Sequence, residues 1–185
     1  YITIQSVERR FLKEDKFGYS EKVNEGRRQF EHLARIYAEN ILEGKENNSF
    51  LRGLFDAIVY PIYARANSEL TTELSVKGMC KPGFRKLFAD TDGTYYMCEK
   101  IGRRLKLGSV SDGFDFEKSR DAYNSYAAIK TELCAPCWAI RLCDSCAASA
   151  KSTENISIEG QEATCNLIRE KIVQGLSIYA YLLKN

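Results

Sequence analysis

Cys134-Ala135-Pro136-Cys137-Trp138-Ala139-Ile140-Arg141-Leu142-Cys143-Asp144-Ser145-Cys146 places four thiols within 13 residues, as two Cys-x-x-Cys pairs with five residues between them. Each Cys-x-x-Cys loop turns both of its sulfurs toward one point, so two in close succession are a signature of ligation. Zinc fingers and ribbons separate their pairs by about a dozen residues or more, and so dense a set of thiolates suits an iron-sulfur cluster better. A single four-cysteine zinc knuckle is the structural alternative. The stretch itself reads as loop and short helix.

On its N-terminal side, residues 115–133 carry Phe116, Ala122, Tyr126 and Ile129 as a helical apolar face. Further back, residues 84–89 and 94–98 are aromatic-rich segments flanking Asp90-Thr91-Asp92-Gly93, and the Asp-Gly pair predicts a β-hairpin because glycine tolerates positive φ. Cys80 and Cys98 stand at the open ends of that hairpin, which brings residues 18 apart into one neighbourhood. Residues 105–110 predict a further short strand and Asp112-Gly113 a second turn. On the C-terminal side, 151–157 is a polar linker. Residues 158–183 form a closing helix whose Cys165, Ile168, Ile172, Tyr179 and Leu183 share one face.

The first third of the chain reads differently. Residues 1–7 suggest a strand, 8–20 are charged and irregular, and Phe30, Leu33, Tyr37 and Ile41 recur at helical spacing over residues 22–43. Gly44 ends that helix. A second one over 49–66 would bury Leu51, Phe55, Ile58, Ile62 and Tyr63 and kink at Pro61. These helices look like support for chemistry placed elsewhere.

Composition narrows the chemistry. The chain has 185 residues, 44% hydrophobic and 28% charged, an ordinary balance for a folded domain. Lys and Arg number 27 against 25 Asp and Glu, a net charge of +2, too small to recruit nucleic acid or anionic lipid by bulk field. No stretch reads as a membrane span, so neither nucleic acid nor membrane is expected as a partner. Seven cysteines cannot all pair as disulfides, which makes a secreted disulfide framework the weakest reading. One histidine, His32, excludes chemistry that needs several imidazoles and zinc sites of the two-cysteine, two-histidine kind.

All seven cysteines fall into one pattern. Cys80, twelve residues, Gly93, four residues, Cys98, a gap, Cys134-x2-Cys137-x5-Cys143-x2-Cys146, a gap and Cys165 resembles the seven-cysteine SPASM signature of radical SAM enzymes. Residues 84–93 and 137–143 are similar to maturases of cysteine-rich ribosomal peptides, the sactipeptide, ranthipeptide and six-cysteine-peptide enzymes. The likeness covers about residues 77–185 well and the first 70 loosely. It implies an α+β domain, a small β-hairpin plus α-helices around two cysteine-ligated sites for 4Fe-4S clusters. A strand and two helices from the end of a partial TIM barrel, or from its bridging region, would precede it. The corresponding domains are residues 1–70 and 71–185.

The resemblance further implies ligand sets that interleave: Cys80, Cys98 and Cys146 on a first auxiliary cluster, and Cys134, Cys137, Cys143 and Cys165 on a second. Seven thiols for eight iron corners imply an open iron on the first. The last pair, Cys143-x2-Cys146, is one residue shorter than the family's usual spacing, which bears on the assignment of Cys146. The Cys-x3-Cys-x2-Cys motif of the SAM cluster is missing here, so this chain alone is not expected to cleave SAM and reads as part of a longer chain. SAM would be bound by an N-terminal barrel of the same parent. The substrate would be a cysteine-rich precursor peptide in the bacterial cytoplasm. Zinc in the thiolate sites, or sites without metal, would be the expected result of aerobic preparation. A zinc-stabilised binding module for protein or nucleic acid is the competing function.

Other candidates have plainer readings. His32 is expected to be solvated, Trp138 to shield buried sulfur, and Arg103-Arg104-Leu105-Lys106 to be a solvated basic loop rather than a dock for an acidic leader peptide. Asp90 and Asp92 are explained by turn formation, and Tyr95 and Tyr96 by packing rather than by peptide addition to the hairpin edge.

Overall fold

The computed structural model describes residues 19–65, 80 and 86–185, with side chains in the first helix from residue 25 onward. The strand expected over residues 1–7 lies outside the described residues. Those that are described form an α+β chain with four α-helices and a small antiparallel sheet of four strands. They divide into two compact units, one of residues 19–65 with 173–185, the other of residues 80 and 86–172. The closing helix contributes to both, so its last turns group with the first two helices and not with the cysteine-bearing part.

In the first unit, α1 (Tyr19–Leu42) stops at Gly44, whose φ of +69° suits glycine. Asn48 then caps α2 (Ser49–Tyr63), its side-chain oxygen accepting from the Leu51 N–H at 2.9 Å. The helix buries Leu51, Phe55, Ile58, Val59 and Ile62, and it continues two residues past Pro61. Phe55 is fully enclosed, with the rings of Phe30 and Tyr37 at 5.0 and 5.1 Å. Tyr63 departs from expectation. It is 71% exposed, because as the last residue of α2 it borders an open groove instead of facing another element.

In the second unit the sheet runs in sequence order, β1 (Phe88–Ala89), β2 (Thr94–Tyr96), β3 (Lys106–Ser109) and β4 (Gly113–Phe114). Phe88 pairs with Tyr96 across the first turn, where Gly93 has φ +81°. The hairpin is thus present, and β3 and β4 extend it into a meander. Asp115 caps α3 (Phe116–Cys134) by accepting from the Lys118 N–H at 3.0 Å. That helix packs on β3 and buries Ala122, Tyr126 and Ile129 against Tyr96, Met97, Ile101 and Leu107. Phe116, assigned to this face by periodicity, is 79% exposed; at the first turn it meets the edge of Phe114 instead. Turns over residues 135–142 and a 3-10 turn, Ala147–Ala150, lead to α4 (Ile158–Lys184). Leu183, placed on the buried face of α4 by spacing, is 71% exposed at its frayed end.

Candidate metal centre

Four cysteines from two distant segments line one cavity. Cys134 is the last residue of α3, Cys137 and Cys143 follow in the turns, and Cys165 comes from the second turn of α4. Leu133, Ala139, Ile140 and Ile168 complete an apolar wall around them. The enclosed space is tight, about 20 Å³. Among the described residues no three His, Cys, Asp or Glu side chains are drawn together closely enough to hold a single metal ion. A tetrahedral zinc site needs its sulfurs about 3.8 Å apart, given its bond length. All seven cysteines of the chain are free of disulfides.

Each sulfur of the cavity has its own polar neighbour. Gln161 donates from Nε2 to Cys165 Sγ at 3.8 Å, and Arg169 donates from Nη2 to Cys137 Sγ at 3.9 Å. Cys143 Sγ lies 3.2 Å from Ser145 Oγ. Lys130 donates from Nζ to that same hydroxyl at 2.9 Å and also acts on Cys134. Burial pushes the Cys134 thiol up, and the Lys130 charge works against it. Lys130 is only 5% exposed, with its ammonium 5.7 Å from the centre of the Tyr126 ring. A buried lysine needs a counter-charge, and the thiols, once ionised, are the negative groups at hand. Gln161 is 1% exposed, and its Oε1 is a buried acceptor without a partner among the described residues.

Compared with known protein families, curated proteins and solved structures, the chain matches none.

The remaining three cysteines sit apart from this cavity. Cys98 and Cys146 occupy equivalent places, each the extended residue that opens a 3-10 turn, Glu99–Ile101 and Ala147–Ala150 respectively, and those two turns pack on each other. Cys80 is exposed. Lys86, ion-paired with Glu99 at 2.7 Å, feels the charges of both Cys98 and Cys80. Tyr126 is fully buried between the two groups. Its hydroxyl donates to the Ser145 carbonyl at 3.1 Å, and burial chiefly, then Cys146, Cys134 and Cys143, raises its pKa.

Trp138 is 59% exposed and does not line the cavity, unlike the shielding role expected of it; Ala139, 2% exposed, lines it instead. Arg104 is no solvated cation either, since it donates to the carbonyls of Ile101, Ser152 and Thr153. Arg103 pairs with Asp90 at 2.7 Å. His32 is exposed, as expected, and Asp90 and Asp92 accept from the backbone N–H groups of Thr91 and Thr94, as turn residues do.

Sequence reading missed Lys130, Ser145, Gln161 and Arg169. A signal was available: Lys130 stands four residues before Cys134, and Gln161 and Arg169 stand four before and four after Cys165, which puts each one helical turn from a sulfur. Lys130 also interrupts a buried stripe of Ala122, Tyr126 and Cys134.

Proposed function

We propose that this chain is the auxiliary-cluster portion of a radical SAM enzyme that matures a cysteine-rich ribosomal peptide. The observation that carries the reading is the convergence of Cys134, Cys137, Cys143 and Cys165, from the end of α3 and the second turn of α4, on one cavity where Lys130, Arg169 and Gln161 act as donors beside Cys134, Cys137 and Cys165. Donors of this kind favour thiolate over thiol and suit a sulfur-ligated inorganic group. These four cysteines would hold the second 4Fe-4S cluster, and Cys80, Cys98 and Cys146 the first.

Bound there, the clusters supply one-electron chemistry and an iron corner open to a substrate thiolate. The chain's own residues supply the rest: Lys130, Arg169 and Gln161 favour negative charge on sulfur, Ser145 holds the Lys130 ammonium in place, and the apolar wall keeps water away. The parent's N-terminal barrel would bind SAM and start the reaction, so this portion alone turns over no peptide. The reading implies a reducing compartment, the bacterial cytoplasm, where thiols stay unpaired. Among the described residues no helix is long and apolar enough to cross a membrane.

Anaerobic reconstitution with ferrous iron and sulfide tests the proposal. The expected product is brown and carries about eight irons and eight sulfides per chain. Colourless protein with zinc in the thiolate sites would overturn it in favour of a zinc-stabilised module.

A further inference from the structure

We infer that Lys130 and Arg169 are two fixed cations that balance the charge of the four-cysteine site, and that Lys130, reaching it from inside the core, holds up its reduction potential. The inference rests on the cluster reading above. Four thiolates around an oxidised four-iron core leave a net double negative charge, and a site that buries it must supply compensation. Two cations approach. Lys130 lies within the core, its Nζ held by Ser145 Oγ at 2.9 Å and facing the Tyr126 ring, close to Cys134. Arg169 reaches Cys137 Sγ from the half-exposed side of α4.

Apart from Arg169 and the cysteines, the residues that line the cavity are uncharged. Gln161 is a neutral donor, the Ser145 hydroxyl is neutral and accepts from Lys130 and from the Cys143 thiol, and on the rim Asp144 is already paired with Lys171 at 2.7 Å. With both cations the oxidised site is formally neutral, and one electron from an external low-potential donor makes it singly negative. Removing either cation makes that electron harder to accept. The loss is larger for Lys130, because burial denies it the screening that solvent and salt give Arg169. Ser145 extends the effect of Lys130, since one hydroxyl lies against both the ammonium and Cys143 Sγ.

The test is a dithionite titration of reconstituted protein with redox mediators, followed by electron paramagnetic resonance. The relevant transition is the one lost in the Cys137→Ala/Cys165→Ala protein. Lys130→Met, close to lysine in volume, is expected to load iron as the parent does and to shift that transition to lower potential, with no effect on the other. Arg169→Gln is expected to shift it less, by an amount that shrinks as salt is raised. Lys130→Arg, which restores the charge, should move it back toward the parent value; a purely structural role for Lys130 would leave it where methionine does. Parent protein that takes up no iron defeats the cluster reading itself. Full iron content with an unchanged potential in both Lys130→Met and Arg169→Gln overturns the inference alone. Should Lys130→Met fail to fold, Arg169→Gln decides, and an unmoved potential there counts against it.

Discussion

Arg104 shows how far a side chain's chemistry can depart from its neighbours in sequence. Within a run of three basic residues it looks like one more solvated charge, yet its guanidinium joins the Glu99–Ile101 turn to the carbonyls of Ser152 and Thr153, at 2.6 Å for the first of these. Arg104→Ala is expected to lower stability by about 1–3 kcal/mol in urea denaturation, because it strands several carbonyls at once. Arg103→Ala, which breaks only an exposed ion pair with Asp90, should cost less than about 1 kcal/mol. Tyr37 makes a pH-dependent contribution in the helical unit. Its hydroxyl donates to Asp56 at 2.9 Å, and burial, followed by that hydrogen bond and the carboxylate's charge, pushes its pKa from the ordinary 10 up to about 12. The folded state thus binds this proton more tightly than the unfolded one. The stabilisation is complete below the unfolded value and disappears as pH rises through the folded one. Thermal melts should show the advantage of the parent over Tyr37→Phe shrinking between pH 10 and about 12; a constant difference would refute the assignment. None of these partners was legible in the sequence, since Asp56 is 19 residues from Tyr37 and Ser152 is 48 from Arg104.

Elements were more legible than partners because their signals are local. The Asp92-Gly93 turn and the break at Gly44 coincide with element boundaries, and the caps at Asn48 and Asp115 add local signals that only the structure brought out. Apolar periodicity located α1, α2, α3 and α4 but misjudged their ends, where Tyr63, Phe116 and Leu183 have no facing element to bury them. The third strand and the Asp112-Gly113 turn were foreseen, but the short β4 and its fit against β3 depend on backbone conformation that spacing does not report. Gly108, in β3, has φ +126°, and a Cβ there would collide with the Gly113 carbonyl opposite it in β4. Gly108→Ala is therefore expected to lower the melting temperature by several degrees and to expose amides of β3 and β4 to hydrogen exchange first. Asn48→Ala should cost about 1 kcal/mol and Asn48→Ser much less, because serine can still cap α2. The 135–146 segment is built of turns between α3 and the Ala147–Ala150 turn, and metal loading is expected to change its amide exchange while leaving α3 and α4 as they are.

Across the chain, seven cysteines in a recognisable order carried the functional reading, and their folded arrangement is uneven. Cys134, Cys137, Cys143 and Cys165 meet at one cavity because the end of one helix and the second turn of another border it. Cys98 and Cys146 are related through their paired 3-10 turns, whereas Cys80 is exposed. That the closing helix leaves the cysteine-bearing unit at Ile172 and joins the first two helices was invisible to periodicity, which treats a helix as one object whatever its two ends pack against. The central claim is that the sulfurs form two independent sites, and iron counted in two paired-cysteine variants tests it most directly. Cys137→Ala/Cys165→Ala and Cys98→Ala/Cys146→Ala should each retain about half the iron of the reconstituted parent, with the two losses adding up to the whole. If either variant loses all its iron, or neither loses any, the sulfurs do not divide into two cluster sites and the account fails.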